Sequence, residues 1–234
     1  MANSKKYNEK AKLIERGKKY QPAEAFKLVK QAAFAKFDES VDLAMRLGVD
    51  PKKHSIRGTV KLPGGSGKTK KIAVIVKGDR VKEAEDAGAA VVGGEELVKK
   101  IQEGFMDFDV LIVSPDMMGS VGKLGRVLGP KGLMPNPKTG TVTMEIGKAV
   151  KDFMGGKVEF KMDKTGALHM VLGKVSFEET ALKKNFSAAL SAILGLKPSG
   201  LKGNYVESIT VSSTMGPGVK IDHRAVVDRA GKEL

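Results

Sequence analysis

Leu62-Pro63-Gly64-Gly65-Ser66-Gly67-Lys68-Thr69 ends in a Gly-Lys-Thr triplet, and whether it cradles a phosphate decides how the rest of the chain is read. A phosphate-binding loop needs a glycine five places before that triplet, and this chain has Leu62 there. The context differs as well. Residues 58–62 read as a strand before the run and 72–76 as a buried strand after it, whereas such a loop opens a helix whose N-terminus faces the phosphate. A Pro-Gly-Gly-Ser-Gly run between two strands reads instead as a flexible connector. A second seam, Gly155-Gly156-Lys157, follows a helical pattern over 146–154 and precedes another strand. Two seams predict a domain inserted into another: 1–67 and 156–234 make an outer domain, and 68–155 the insert.

The distribution of charge supports this division. The chain has 234 residues, enough for two ordinary domains, and a formal charge of +14. Residues 68–155 carry 14 Lys/Arg against 12 Asp/Glu, which leaves 27 against 15 for the flanks. The insert is nearly neutral and the outer domain basic, so a polyanionic partner is expected on the outer domain. There is no cysteine, which excludes disulfides, thiolate zinc sites and cysteine nucleophiles and suits a reducing compartment. Nothing resembles a signal peptide, and the longest apolar run, 72–76, stops at Lys77. A cytoplasmic protein with no membrane partner is expected.

The chain opens with Lys5, Lys6, Lys10, Lys12, Arg16, Lys18 and Lys19, read as a solvated arm. Pro22 fits the first turn of a helix to about Lys36. Val41, Leu43, Met45 and Leu47 alternate with polar or small residues as in a half-buried strand, and 56–62 is expected to return antiparallel to it after Asp50-Pro51. In the insert, short apolar runs at 72–76, 90–92 and 109–113 are each followed by helical pattern, at 79–87, 95–103 and 120–128. That grammar predicts right-handed crossovers and a parallel sheet covered on both faces. Asp163-Lys164-Thr165-Gly166 predicts a hairpin between strands 157–163 and 167–172. Ser176-Phe177-Glu178-Glu179 fits a capping box for a helix to about Leu194, and 205–214 is a last strand. The expected fold is α/β with two domains: a split antiparallel α+β domain formed by both termini, and an inserted Rossmann-like parallel α/β domain.

Catalytic and metal-binding constellations are missing. His54, His169 and His223 lie far apart without ligand spacing and belong to no recognisable triad. Lys77-Gly78-Asp79-Arg80 holds one glycine where a dinucleotide fingerprint needs three, so no cofactor and no metal are expected. The rival reading is a nucleotide-dependent enzyme using the insert's sheet, which a nucleotide-binding assay separates.

One further region is glycine-rich: Gly119, Gly122, Gly125, Gly129, Gly132 and Gly140 alternate with Lys123, Arg126, Lys131 and Lys138. Its composition fits either phosphate contact or a loop packed on its own sheet. The run from Val121 to Lys138, with Met106-Asp107-Phe108-Asp109 before it and Gly140-Thr141-Val142-Thr143 after it, closely resembles the signature of the L-one family of large-subunit ribosomal proteins. The resemblance extends to Ala35-Lys36-Phe37-Asp38-Glu39-Ser40-Val41 and to Ser213-Thr214-Met215-Gly216-Pro217-Gly218.

The resemblance implies a split domain that binds large-subunit ribosomal RNA and an insert joined to it by a two-stranded hinge at Gly64, Gly65, Gly67, Gly155 and Gly156. It implies a place on the mobile stalk beside the tRNA exit site, help in releasing deacylated tRNA, repression of the protein's own operon mRNA through a similar RNA site, and a monomer outside the ribosome. Carried over by motif, RNA contacts fall on Lys36, Phe37 and Ser40, on Asp163, Lys164, Thr165 and His169, and on Ser213, Thr214, Met215 and Gly216. Read as residues, these suit structured RNA, because no Trp and only three Tyr leave little for a stacking platform. Phe37 fits core packing or a ribose or base face. Asp163 fits turn formation, or acceptance from a hydroxyl.

Overall fold

The computed structural model describes residues 5–15, 17–78, 80–201 and 203–230, with no account of the side chains of 228–230. Arg16 of the basic arm and Asp79, the expected start of a helix, lie outside the described residues. The chain divides into two compact units, one made of Met1–Gly67 with Val158–Leu234 and the other of Lys68–Lys157.

In chain order, the first unit begins with α1 (Lys5–Ala11), α2 (Pro22–Ala32), β1 (Ser40–Leu47) and β2 (Arg57–Lys61). The second unit follows with β3 (Ile72–Ile75), α3 (Arg80–Asp86), β4 (Val91–Gly93), α4 (Glu95–Gln102), β5 (Val110–Val113), α5 (Met118–Gly122), α6 (Gly125–Leu128) and α7 (Ile146–Met154). The chain then completes the first unit with β6 (Lys157–Met162), β7 (Ala167–Lys174), α8 (Glu179–Leu194), β8 (Val206–Ser213), β9 (Val219–Ile221) and α9 (His223–Ala230).

The first unit is a six-stranded sheet in the order β2-β6-β7-β1-β8-β9. β1 runs antiparallel to both neighbours, with Leu43 opposite Met170 on β7 and Val211 on β8. Its alternation is what makes this a core strand: Val41, Leu43, Met45 and Leu47 are buried, in one cluster with Leu168, Met170 and Leu172 of β7, Ile209 and Val211 of β8, and apolar faces of α2 and α8. Phe26 of α2 meets Phe186 of α8 edge-on at 5.8 Å, a geometry that adds about 0.5–1.5 kcal/mol beyond area burial. Because a strand points successive side chains to opposite faces, Asp42, Ala44 and Arg46 look away from this core.

The second unit is a parallel sheet in the order β4-β3-β5. Ala73 and Ile75 face one cluster with Leu97, Ile101, Val121 and Leu128, while Ile72, Val74 and Val76 face another with Ala84, Ile146 and Val150. Both faces are covered, which is why its strands are continuously apolar.

Several expectations need correction. The helix from Pro22 ends at Ala32, with Ala33 already extended, so Lys36 lies in a bend four residues beyond. β2 does not pair with β1: the β6–β7 hairpin lies between them, and β2 is an edge strand beside β6. The expected helix over 120–128 is broken into α5 and α6 at Lys123-Leu124, after a 3-10 turn at Pro115–Met117. The capping box does not form, since Glu178 caps α8 without a side-chain bond and Ser176 Oγ donates instead to Asp38 Oδ2 at 2.8 Å. The basic arm includes α1, none of whose residues is buried, and Lys10 Nζ donates to the Gln31 carbonyl at 2.7 Å. β9 and α9 had no counterpart in the sequence reading.

Candidate nucleic-acid interface

The predicted contact residues all lie in the first unit, most of them at the two ends of one strand pair with His169 between. Ser40 opens β1 opposite Lys174, and Arg46 near the other end lies opposite Ala167, just past the 163–166 turn. At about 3.4 Å per residue the two groups are roughly 20 Å apart.

At the Ser40 end, a bend after α2 presents Lys36 and Phe37, and the turn after β8 presents Thr214 and Met215. Phe37 is 57% exposed and Met215 51%. Core packing for Phe37 is thereby excluded, and two large apolar side chains stand in solvent at one end of a basic unit. The segments are knitted together by backbone: Thr214 N–H donates to the Ser40 carbonyl at 3.0 Å, and Ser40 N–H donates to Thr214 Oγ1 at 2.9 Å. Lys174 Nζ donates to Ser40 Oγ at 3.1 Å and to the Asp38 carbonyl at 3.2 Å. Ser213, by contrast, is 2% exposed, so its side chain belongs to the framework. A Cβ on Gly216 would collide with Ser213 Oγ, which makes glycine the residue that lets the turn close.

A further residue of this cluster is Glu39. It is buried, and its Oε1 accepts Phe34 N–H at 2.9 Å and Ala35 N–H at 2.8 Å while its Oε2 accepts Met215 N–H at 3.0 Å. Burial pushes its carboxyl up, but those backbone donors, together with the Ser213 hydroxyl, outweigh it and hold the group below its ordinary value of 4.5. A lone glutamate before a strand gives no signal of this, because its partners lie on two separate segments.

At the other end, Asp163 takes the turn-forming role. Its Oδ1 accepts from Thr165 N–H at 2.8 Å, Thr165 Oγ1 at 2.7 Å and Ala167 N–H at 2.9 Å, and these bonds hold its carboxyl below the ordinary 3.8. Gly166 closes the turn at φ +82°, and Lys164 and Thr165 are exposed on it. Between the two ends lies the sheet face turned from the core. His169 is exposed there, opposite Ala44 and Lys161. Burial pushes the Asp42 carboxyl up, against the charges of Lys174 and His169. The predicted residues thus form a track along β1 and β7 with a denser cluster at the Ser40 end.

The glycines expected at the hinge also have defined places. Gly64 N–H donates to Asn185 Oδ1 at 2.7 Å, and Asn185 Nδ2 donates to the Gly65 carbonyl at 3.0 Å, so these two are fastened to α8. Gly65, Gly67 and Gly156 adopt positive φ of 76°, 71° and 95°, while Gly155 caps α7 at φ −73°. Within the second unit, Lys70 Nζ donates to the Lys157 carbonyl at 2.7 Å, tying the entering segment to the leaving one. Among the described residues no group of His, Asp and Glu could hold a metal ion, and no helix is long and apolar enough to cross a membrane.

A six-stranded antiparallel sheet with an open polar face, split by a parallel-sheet unit and carrying most of a +14 charge, defines a basic α/β scaffold of the polyanion-associating class. Residues 29–217 match the Ribosomal protein L1p/L10e family, a span that includes every predicted contact residue. Over 232 residues the chain is 52% identical to the large ribosomal subunit protein uL1 of Thermobifida fusca (strain YX), covering 98% of this chain and 99% of that one. The chain belongs to this family, as a bacterial-type large-subunit L1 protein, and so has a structural role in the ribosome in association with ribosomal RNA.

Proposed function

We propose that the first unit binds a folded element of large-subunit ribosomal RNA, with the principal contacts at the Ser40 end of β1. The observation that carries this is that Phe37 and Met215 are both exposed on segments cross-linked by hydrogen bonds from Thr214 N–H to the Ser40 carbonyl, Ser40 N–H to Thr214 Oγ1 and Met215 N–H to Glu39 Oε2. Apolar side chains held on rigid backbone suit ribose and base faces, and the hydroxyl of Ser40 and the open backbone at Thr214 and Gly216 suit 2′-hydroxyls. Lys36 adds phosphate attraction. Lys164, Thr165 and His169 extend the contact along the sheet, with Asp163 and Ser213 shaping backbone.

In this reading the second unit is hinged at the segments around Gly67 and Gly156, the part beyond the Asn185 fastening. The protein acts on the mobile stalk beside the exit site, helps release deacylated tRNA, and represses its own operon mRNA through an RNA feature like the ribosomal one. It is monomeric when free, and it is not an enzyme. The test is competition: full-length protein bound to a large-subunit rRNA fragment is challenged with its own mRNA leader and with unrelated structured RNA. The leader should compete within about tenfold of the fragment and the unrelated RNA far less, the gap between specific and non-specific binding. Equal competition by all three would leave only charge-driven binding.

A further inference from the structure

Glu39 gathers the segments that carry the proposed contacts onto one side chain. Phe34 and Ala35 run directly into Lys36-Phe37, and Met215 heads the turn after β8; one carboxylate oxygen holds the first pair and the other holds the second. The backbone carbonyl of Glu39 also accepts Val175 N–H at 2.9 Å, which fixes the residue to the end of β7. Glu39 is 1% exposed, so it meets no ligand itself.

The chemistry of the position is specific to a carboxylate. Three backbone N–H groups converge, and only an ionised carboxyl offers acceptors at both ends with no donor between them. Glutamine would satisfy one side and turn an NH2 group, donor to donor, on the other. Burying this charge is costly, and charge-assisted bonds to backbone N–H groups offset the cost. What the arrangement fixes is the spacing between the strip bearing Phe37 and the turn bearing Met215.

We propose that Glu39 is a positioning residue for RNA recognition, holding the Phe34–Phe37 strip and the Met215 turn at fixed spacing before RNA arrives, so that binding does not have to order them. This rests on the reading that the Ser40 end binds RNA. Preorganisation of this kind raises affinity by removing an ordering cost, without adding a contact to the ligand. It therefore leaves a signature that loss of a phosphate contact does not.

The test uses the full-length protein and a large-subunit rRNA fragment. Glu39→Gln should lower affinity at least tenfold while the slope of log K against log salt stays at the wild-type value, because no cation is removed from a phosphate. Phe37→Ala serves as the control for the site. If Phe37→Ala weakens binding and folded Glu39→Gln binds as wild type, the positioning role is wrong and the site reading stands. If both bind as wild type, the site reading fails too. Amide hydrogen exchange on the unmodified protein covers the case in which Glu39→Gln does not fold: the Met215 amide, on an exposed residue, should be strongly protected through Glu39, and free exchange there would overturn the proposal.

Discussion

Asn185, fully buried in α8, accepts the Gly64 N–H at 2.7 Å and donates to the Leu172 carbonyl at 2.7 Å. One side chain therefore joins the strand β7, the helix α8 and the segment that leaves the first unit. Replacing it with leucine would leave the buried Leu172 carbonyl, and the less buried Gly64 N–H and Gly65 carbonyl, without this partner. We expect Asn185→Leu to cost about 1–3 kcal/mol by urea denaturation, the scale of a buried group left unsatisfied. RNA affinity of the folded protein should change little, since the Ser40 cluster does not depend on this bond. A neutral effect on stability would mean that water replaces all three bonds.

Phe37 and Met215 make the opposite case, exposed apolar groups whose removal should spare the fold. Phe37→Ala and Met215→Asp are each expected to shift the denaturation midpoint negligibly and to weaken rRNA binding by at least about 2 kcal/mol, the scale of an interface hot spot. Filter binding beside circular dichroism separates the two effects. If Met215→Asp unfolds the chain and its folded fraction binds normally, the turn is structural and the contact assignment is wrong.

Acid should destabilise the first unit through Glu39 and Asp163, and the second through Asp109, whose carboxyl the Lys71 backbone N–H holds below the ordinary 3.8. A carboxyl lowered on folding contributes stability that is complete above its unfolded value and lost as pH falls through its folded one. Asp42 acts with the opposite sign, its raised carboxyl favouring the fold only while protonated. In each unit the lowered carboxyls should make stability fall as pH drops through the carboxylate range, with Asp42 opposing that fall in the first unit. Glu39→Gln should be less stable at neutral pH and should flatten that acid limb, and an unchanged acid limb would deny Glu39 its share.

Period and turn chemistry made much of this fold legible in sequence. The alternation at Val41, Leu43, Met45 and Leu47 gave a one-sided strand, continuous runs such as 72–76 gave a two-sided sheet, and Asp163-Lys164-Thr165-Gly166 gave its hairpin. These signals are local, so the residues that carry them lie together in the chain. Sheet order is not local: β2 follows β1 in sequence yet stands with two strands between them, because β6 and β7 arrive there after the second unit. The capping box failed for a related reason, since Asp38, distant in sequence, competes for Ser176. Of the site, the motif stretches were visible, but the division between exposed Phe37 and Met215 and framework Ser213 and Asp163 was not. Glu39 and Asn185 were missed because each also bonds a segment far off in the chain, Met215 for Glu39 and Gly64-Gly65 for Asn185.

The claim that recognition resides in the first unit is tested most directly by removing the second. Deleting residues 68–157 and joining Gly67 to Val158 through a short Gly/Ser linker should leave a folded six-stranded unit that keeps most of the positive charge. We predict that this protein binds the rRNA fragment with most of the full-length specificity over bulk RNA, and that the loss appears mainly as faster dissociation. A folded deletion protein that cannot distinguish the fragment from bulk RNA would contradict the account and move recognition to the second unit, with the glycine-rich segment from Gly119 to Lys138 as its seat.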